Sequence, residues 1–246
     1  MNPQIIQIIF IILTGAIYGS FLTAAIPRVI EKKSLNGRSH CDSCQKKLGF
    51  FELFPVLSFV YNRGRCKNCK KSIGWRNLLI ELATISWASS LLFIFPDEPI
   101  KQILLFLLGG ILLAIAVSDL FWGVIPSDWL IVGAVVQTVY LIPLLIQRPD
   151  LLPAIIAAVA LGTGWFAAQH FVSQGRWVGD GDIWLGGLLG LIHFSLWPTL
   201  VNLGVAYISG AVVAVFLIIK DKKNLKASIP FGPFLVLGTV VVWLLV

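Results

Sequence analysis

Eight apolar stretches divide the sequence, and polar or charged segments separate them. A helix that crosses the hydrocarbon core of a membrane needs roughly 20 consecutive, mostly apolar residues. The pattern predicts membrane spans at 5–27, 78–96, 102–118, 129–147, 151–172, 183–197, 199–219 and 230–246. The sixth stretch is the shortest and ends at Trp197-Pro198. It is therefore predicted to be a short or partly re-entrant segment.

Composition agrees with this pattern. Of the 246 residues, 57% are hydrophobic and only 13% are charged, and a soluble domain of this length could not bury so much apolar surface. We expect an all-α polytopic membrane protein with about eight transmembrane helices and one small soluble insertion. Residues 1–27 form the first span, 28–77 the insertion, and 78–246 a membrane-embedded domain. The start "MNPQ" lacks the positive charge of a signal peptide, so the first stretch is predicted to be retained.

The basic residues predict the orientation of the chain. With the N-terminus outside, the inner segments are 28–77, 119–128, 173–182 and 220–229, and they hold all but two of the nineteen Lys and Arg residues. The exceptions are Lys101 and Arg148. Because basic residues concentrate on the cytoplasmic side, we expect a multi-pass membrane protein with its insertion in the cytoplasm. This topology accounts for the net charge of +7, so membrane lipid is an expected partner and nucleic acid is not.

All four cysteines lie in the insertion, as two CxxC pairs: Cys41 with Cys44, and Cys66 with Cys69. Four thiolates in this spacing suit one tetrahedral zinc ion, and the cytoplasm disfavours structural disulfides. A full shell of four sulfur ligands leaves no open position for catalysis, so the expected zinc is structural and the insertion zinc-ribbon-like. A redox pair and thiols without metal are the alternatives.

Two aspartates are expected at the same inner face, at the ends of different helices. Asp119 closes the third span in "LLAIAVSDLFWGVIPSDWL", and Asp182 opens the sixth in "RWVGDGDIWLGGLLG". Two carboxyl groups held close together share a proton, because both cannot ionise cheaply. One can then act as general base on a water while the other protonates or hydrogen-bonds a scissile carbonyl. Asp119 and Asp182 are thus the predicted catalytic pair.

The loop before the sixth span carries a structural alternative. Asp180 and Asp182 would also serve as helix N-cap residues, which aspartate favours. Gly179 and Gly181 lack Cβ atoms, so the backbone can turn sharply and a peptide can approach closely. Further along, Gly186 and Gly190 have the GxxxG spacing of closely packed membrane helices.

Five segments resemble the type IV prepilin peptidases, in the order that this family has them. They are "GSFLTAAIPR" (19–28), the tetracysteine stretch 38–81 with "PVLS" and "RGRC", "SDLFWGVIP" (118–126), "GDGD" (179–182) and "IPFGPFL" (229–235). GxGD alone also occurs in presenilin-type and signal-peptide-peptidase-type proteins, whereas the five together are specific. Thr23, Pro27 and Ser127 depart from the family pattern but do not touch the aspartate pair.

The resemblance implies a GxGD-type membrane aspartic protease. Asp119 and Asp182 would be catalytic, with Gly179, Asp180 and Gly181 as the supporting loop and Asp180 as its variable residue. The implied substrates are type IV prepilins or pseudopilins, cut at the cytoplasmic face just before their hydrophobic helix. Many family members also methylate the new N-terminus with S-adenosylmethionine. The insertion shows no glycine-rich cofactor loop, so the cofactor-binding residues stay open.

Two other classes of protein fit parts of the pattern. A membrane assembly scaffold would need only the zinc insertion, with the aspartates as helix caps. A proton-coupled transporter would use intramembrane carboxylates, but it is expected to show internal repeats, and none is visible in the sequence. The expected pairing of Asp119 with Asp182 favours the peptidase.

Overall fold

The computed structural model describes residues 3–37, 44, 46–47, 49, 61–72, 74–220 and 229–245. Within these ranges the regular structure is helical, apart from the bridge residues Lys47, Arg65 and Ser72, of which the last two pair with each other. The eight α-helices are α1 (Pro3–Ile30), α2 (Trp75–Ile94), α3 (Pro99–Trp122), α4 (Ser127–Gln147), α5 (Leu152–Ser173), α6 (Asp180–His193), α7 (Leu196–Lys220) and α8 (Gly232–Leu245). A single 3₁₀ turn, Pro149–Leu151, precedes α5. The predicted all-α class is confirmed.

Six of these helices are long and apolar enough to cross a membrane: α1, α2, α3, α4, α5 and α7. The sequence predicted about eight spans. The other two predicted spans fall on α6 and α8, each of 14 residues. At 1.5 Å per residue such a helix is about 21 Å long, which is less than the roughly 30 Å hydrocarbon core. For α6 the physical reason is local, because Phe194 takes a left-handed conformation (φ 41°) directly after His193 and ends the helix.

The described residues fall into two compact units, 1–110 and 111–246. In the first unit α1 packs closely on α2, and a Cβ placed on Gly15 would lie 2.8 Å from Ile85 Cα. The Tyr18 hydroxyl and the Trp87 indole donate to backbone carbonyls at the start of α3, those of Leu107 and Leu105, each at 2.9 Å. The three-part division of the chain into 1–27, 28–77 and 78–246 stays a prediction.

In the second unit α5 and α6 pack backbone to backbone. A Cβ placed on Gly190 would lie 2.7 Å from Val159 Cα, and one on Gly186 would lie 2.5 Å from the Gly162 carbonyl oxygen. The GxxxG spacing of α6 thus marks a close helix contact, as predicted. Next to it, Asn202 of α7 donates to the Thr239 hydroxyl of α8 at 2.6 Å. These contacts fix the two short helices whose N-termini reach the candidate site.

Candidate active site

Asp119 lies in the last turn of α3 and is only 8% exposed. The hydropathy pattern ended the third span at residue 118, but the helix continues to Trp122, and the Gly123 amide, at φ 64°, donates to the Asp119 carbonyl at 2.8 Å. A negative side chain at a helix C-terminus is opposed by the helix dipole. Here a second helix offsets that cost, because α8 begins at Gly232 and directs its first amide at this carboxylate.

The contact between Gly232 and Asp119 is short and depends on glycine. The Gly232 N–H donates to Asp119 Oδ2 at 2.7 Å. A Cβ at position 232 would lie 2.8 Å from the same oxygen, closer than real Cβ atoms approach. The positive end of the α8 dipole also favours a carboxylate at this place. The backbone of α8 therefore holds Asp119 in position.

Asp182 is the third residue of α6, and its two side-chain oxygens differ. Oδ2 accepts the Gly179 N–H at 3.2 Å, whereas Oδ1 is buried and has no hydrogen-bond partner among the described residues. Asp182 lies outside the six membrane-spanning helices. Burial and then the negative charge of Asp119 raise its pKa to about 6, against the opposing hydrogen bond from Gly179. Asp182 is thus a carboxyl that holds its proton unusually well.

The structure brings Asp119 and Asp182 together closely enough for the charge of one to act on the other. They come from the end of α3 and the start of α6, which lie 63 positions apart in the chain. Each has one oxygen held by a backbone amide. A pair arranged in this way can present its remaining oxygens to a water and a carbonyl.

The GDGD loop agrees only in part with the helix-cap alternative. The N-cap residue is Gly179, and Asp180 is the first helical residue. Asp182 accepts the N-cap amide from inside the first turn, so it stabilises the helix start as well. The Asp180 side chain is 82% exposed and lies 3.2 Å from His170 Nε2. Asp180 therefore points away from Asp119 and Asp182, toward His170.

Gly181 has a different local role from the one predicted. A Cβ at this position would lie 2.8 Å from Ile125 Cβ, in the link between α3 and α4. The open side of Gly181 is thus filled by the chain itself and does not admit a substrate peptide there. The glycine allows the start of α6 to approach the end of α3, which brings the two aspartates together. A Cβ placed on Gly179 would lie 3.7 Å from its nearest neighbour, Asp182 Oδ2, so the space beside Gly179 is more open.

Three of the four cysteines lie in described residues and converge. The ligand atoms of Cys44, Cys66 and Cys69 all lie within 4.8 Å of one another, and Cys41 lies outside the described residues. Tetrahedral zinc with Zn–S bonds of about 2.3 Å places its sulfurs about 3.8 Å apart, so the cluster fits such an ion. The backbone is turned around Cys66, whose amide donates to the Lys71 carbonyl at 2.8 Å and whose carbonyl accepts the Lys70 amide at 3.0 Å.

A cavity of about 510 Å³ lies beside this cysteine turn. Tyr61, Asn62 and Cys66 line it together with four cationic side chains, those of Arg63, Arg65, Lys67 and Lys70. Such a lining suits an anionic group such as a carboxylate or a phosphate.

Comparison with known proteins places these features in a wider context. Residues 13–95 match the model of the bacterial peptidase A24 N-terminal domain. The chain is also similar to three curated proteins named prepilin leader peptidase/N-methyltransferase. It is 28% identical to the one from Myxococcus xanthus (strain DK1622) over 86% of this chain and 63% of that protein. It is 27% identical to the one from Burkholderia pseudomallei (strain 1026b), over 96% and 84%, and 25% identical to the one from Bacillus subtilis (strain 168), over 97% and 94%.

The chain is thus similar to prepilin leader peptidases over most of its length. The resemblance drawn from the five motifs is confirmed by these matches. The chain spans less than two thirds of the length of the prepilin leader peptidase from Myxococcus xanthus. No solved structure matches the chain.

Sequence reasoning missed three residues of the site. Gly232 was part of the "IPFGPFL" motif but had no assigned role. Its neighbour Phe231 contacts the rings of Phe166, Tyr207 and Phe234, and the sequence does not indicate these contacts. Ile125 appeared to be an ordinary apolar residue. His170 lies near the end of an apolar run, where a histidine is usually interfacial, so its position gave no indication of a role. Each acts through a contact between different helices or between a helix and a loop.

Proposed function

We propose that this protein is an aspartic endopeptidase that removes the leader peptide from type IV prepilins or pseudopilins. The observation that carries the proposal is the pair Asp119 and Asp182, in which Asp119 is buried and the Asp182 carboxyl has a raised pKa. The names of the relatives support the choice of substrate. A scaffold would have no need of two aspartates that interact electrostatically.

The hydrogen bonds suggest how the two aspartates divide the work. Asp119 accepts the Gly232 amide at the N-terminus of α8, and this hydrogen bond stabilises a carboxylate. It is the group we assign as general base toward the attacking water. Asp182, whose pKa is raised to about 6, would carry the shared proton and pass it to the peptide at the scissile bond. Its Oδ1, which has no partner among the described residues, is the atom available for that transfer.

The cysteine cluster is proposed to hold a structural zinc ion through Cys41, Cys44, Cys66 and Cys69. The three described sulfurs lie at distances that suit this ion. Bound zinc would fold the insertion, because about fifty residues form only a small hydrophobic core. The cysteines would orient the basic residues between and beside them, including those of the neighbouring cavity.

A second activity, N-methylation of the new pilin N-terminus, is proposed from the names of the relatives. S-adenosylmethionine would supply the methyl group. The cationic cavity beside Cys66 is the candidate for its carboxylate, with Arg63 and Lys70 as the binding groups. Titration of S-adenosylmethionine into wild-type protein and into Arg63→Ala tests this assignment, because the substitution should weaken binding without changing cleavage.

The site is proposed to face the cytoplasm, with the protein in the bacterial inner membrane and its N-terminus outside. The six long apolar helices support membrane insertion, and the distribution of Lys and Arg supports the orientation. A prepilin inserted from the cytoplasm would then bring its leader to Asp119 and Asp182 while its hydrophobic helix stays in lipid.

The proposal is tested by following leader removal from a co-expressed prepilin. Asp119→Asn and Asp182→Asn should each abolish cleavage while the protein still accumulates in the membrane. Asp180→Ala should keep substantial activity, because the Asp180 side chain is exposed. Full cleavage by the Asp182→Asn variant would refute the mechanism. Mass spectrometry of the pilin N-terminus, made with and without the protein, reports the cleavage site and the methylation together.

A further inference from the structure

His170, in the last turn of α5, reaches across to the loop that precedes α6. Its Nδ1 lies 2.9 Å from the Val178 carbonyl oxygen, and its Nε2 lies 3.2 Å from Asp180 Oδ1. The imidazole is mostly buried, with 23% of the side chain exposed. Because a carbonyl oxygen only accepts hydrogen bonds, the proton of this contact belongs to Nδ1, which donates to Val178.

The Val178 carbonyl and the Gly179 amide belong to one peptide unit. That unit is planar, and its C=O and N–H point in opposite directions. The carbonyl side is held by His170, and the amide side donates to Asp182 Oδ2 at 3.2 Å. An imidazole that fixes the carbonyl therefore also sets the direction of the N–H bond that holds Asp182. Hydrogen bonds linked in this way through one peptide also polarise one another.

The chain around His170 fixes the imidazole in turn. The His170 carbonyl accepts the Gly175 amide at 2.8 Å, where Gln174 and Gly175 take left-handed conformations and end α5. A Cβ on Gly175 would lie 3.2 Å from His170 Cε1, so the turn packs directly on the imidazole. Ser173 Oγ accepts the Trp177 amide at 3.2 Å and closes the same turn. The imidazole is thus held from its own helix end while it contacts the GDGD loop.

We propose that His170 is a positioning residue for Asp182, and that it acts through the Val178–Gly179 peptide. It keeps the Gly179 N–H on Asp182 Oδ2, so that Oδ1 stays directed toward the reacting groups. This inference rests on the proposed peptidase function. His170 makes no described contact with the reacting oxygens. Its loss should therefore lower kcat and leave KM unchanged.

Three substitutions separate the two imidazole nitrogens. The side-chain amide of His170→Asn places a donor near the position of Nδ1, that of His170→Gln places one near Nε2, and His170→Leu has neither. We expect the Leu and Gln variants to lose about tenfold in kcat, which corresponds to one hydrogen bond of about 1.4 kcal/mol. The Asn variant should recover most of the wild-type kcat, because it still donates to Val178. All should show the wild-type KM for a prepilin reconstituted with the purified protein.

Gln169→Leu is the matched control. Gln169 is adjacent on α5, but its side chain contacts the Trp165 carbonyl at 3.1 Å and the Tyr207 hydroxyl at 2.9 Å, not the GDGD loop. Its kcat should equal that of wild type. If His170→Leu does not fold, as judged by thermal unfolding, the comparison of Asn with Gln decides alone.

Several outcomes would overturn the inference. These are wild-type kcat in the Leu or Gln variant, equal losses in the Asn and Gln variants, or a loss that appears in KM. If wild-type protein and the Asp182→Asn variant process prepilin equally, the proposed function fails first. If wild type cleaves, Asp182→Asn does not, and His170→Leu cleaves normally, only the role of His170 is wrong.

Discussion

The Gly232 amide donates a 2.7 Å hydrogen bond to Asp119 Oδ2 across 113 residues of sequence. The contact joins the C-terminus of α3 to the N-terminus of α8. It gives a buried carboxylate at an unfavourable helix end a compensating partner. A single methyl group added at Gly232 would disturb this contact.

Gly232→Ala should lower the cleavage rate severely. A Cβ at this position would lie 2.8 Å from Asp119 Oδ2, so the carboxylate or the start of α8 must move, and misplacement by about 1 Å can cost about 100-fold in rate. Steady-state cleavage of a reconstituted prepilin measures this. Gly204→Ala is the control, because a Cβ on Gly204 in α7 would meet nothing within 4 Å. Cleavage by Gly232→Ala at the wild-type rate would show that Asp119 needs no fixed position.

Asp182→Asn should stabilise the protein above about pH 6 and not at pH 4. The pKa of Asp182 rises from its ordinary value of 3.8 to about 6 through burial and the charge of Asp119. The native protein thus holds this proton more tightly than the unfolded chain, so its stability falls as the pH rises from about 4 to 6. Above that range the ionised carboxylate costs on the order of 1.4 kcal/mol per pKa unit. Asparagine removes that cost, and its carbonyl can still accept the Gly179 amide.

Thermal unfolding in detergent across this pH range measures the effect. Asp128→Asn serves as the matched control, because Asp128 also lies in the first turn of a helix but is exposed. A stability difference between Asp182→Asn and wild type that does not change with pH would contradict the prediction.

Loss of the cysteine cluster should reduce the stability of the protein more than its rate of peptide cleavage. Cys44→Ser and Cys66→Ser should lower both the zinc content and the accumulation of protein, because they remove converging ligands. The protein that does fold should still cleave. Elemental analysis of the purified protein gives the zinc content, and Ser72→Ala, an exposed substitution in the same insertion, gives the baseline. Purified wild-type protein that is active but contains no zinc would contradict a structural role for the metal.

Two glycines of α5 should respond oppositely to alanine. A Cβ on Gly162 would clash with the backbone of Gly186 in α6, whereas one on Gly164 would meet nothing within 4 Å. Gly162→Ala should therefore cost about 1–3 kcal/mol through overpacking. Gly164→Ala should be neutral or stabilising by up to about 1 kcal/mol, because alanine restricts the unfolded chain. Equal midpoints of thermal unfolding would mean that α5 and α6 do not pack as described.

The sequence predicted the positions of most helices well because the apolar runs begin and end close to where the helices do. The predicted fourth span 129–147 and the helix Ser127–Gln147 differ by only two residues. The sixth stretch was predicted to be short, as α6 is, but its end was misplaced: the apolar run extends to residue 197, whereas a left-handed Phe194 ends the helix at His193. Hydropathy measures transfer into lipid and does not detect a change of backbone conformation.

The two aspartates could be predicted because carboxylates at the edge of apolar runs are rare. The groups that hold them in position could not be predicted from the sequence. Gly232 acts through a backbone amide, and the hydrogen bond of His170 is to a backbone carbonyl, so neither contact depends on a chemically matched side chain in the partner. Local patterns carry no information on which backbone groups meet after folding. Gly181 shows the same limit, because its neighbour Ile125 is identified only by the packing of α6 against the α3–α4 link.

Within the part of the chain that the structure describes, the side chains of Asp119 and Asp182 accept hydrogen bonds from main-chain amides, those of Gly232 and Gly179. No exchange of one side chain for another deletes such a donor, apart from proline, which lacks the N–H. A substitution can therefore displace these N–H donors but can hardly remove them. The number of hydrogen bonds that the pair accepts from the main chain is thus little affected by single substitutions. Tuning its acidity at a single atom would require chemical synthesis, with an ester in place of the amide at position 179 or 232.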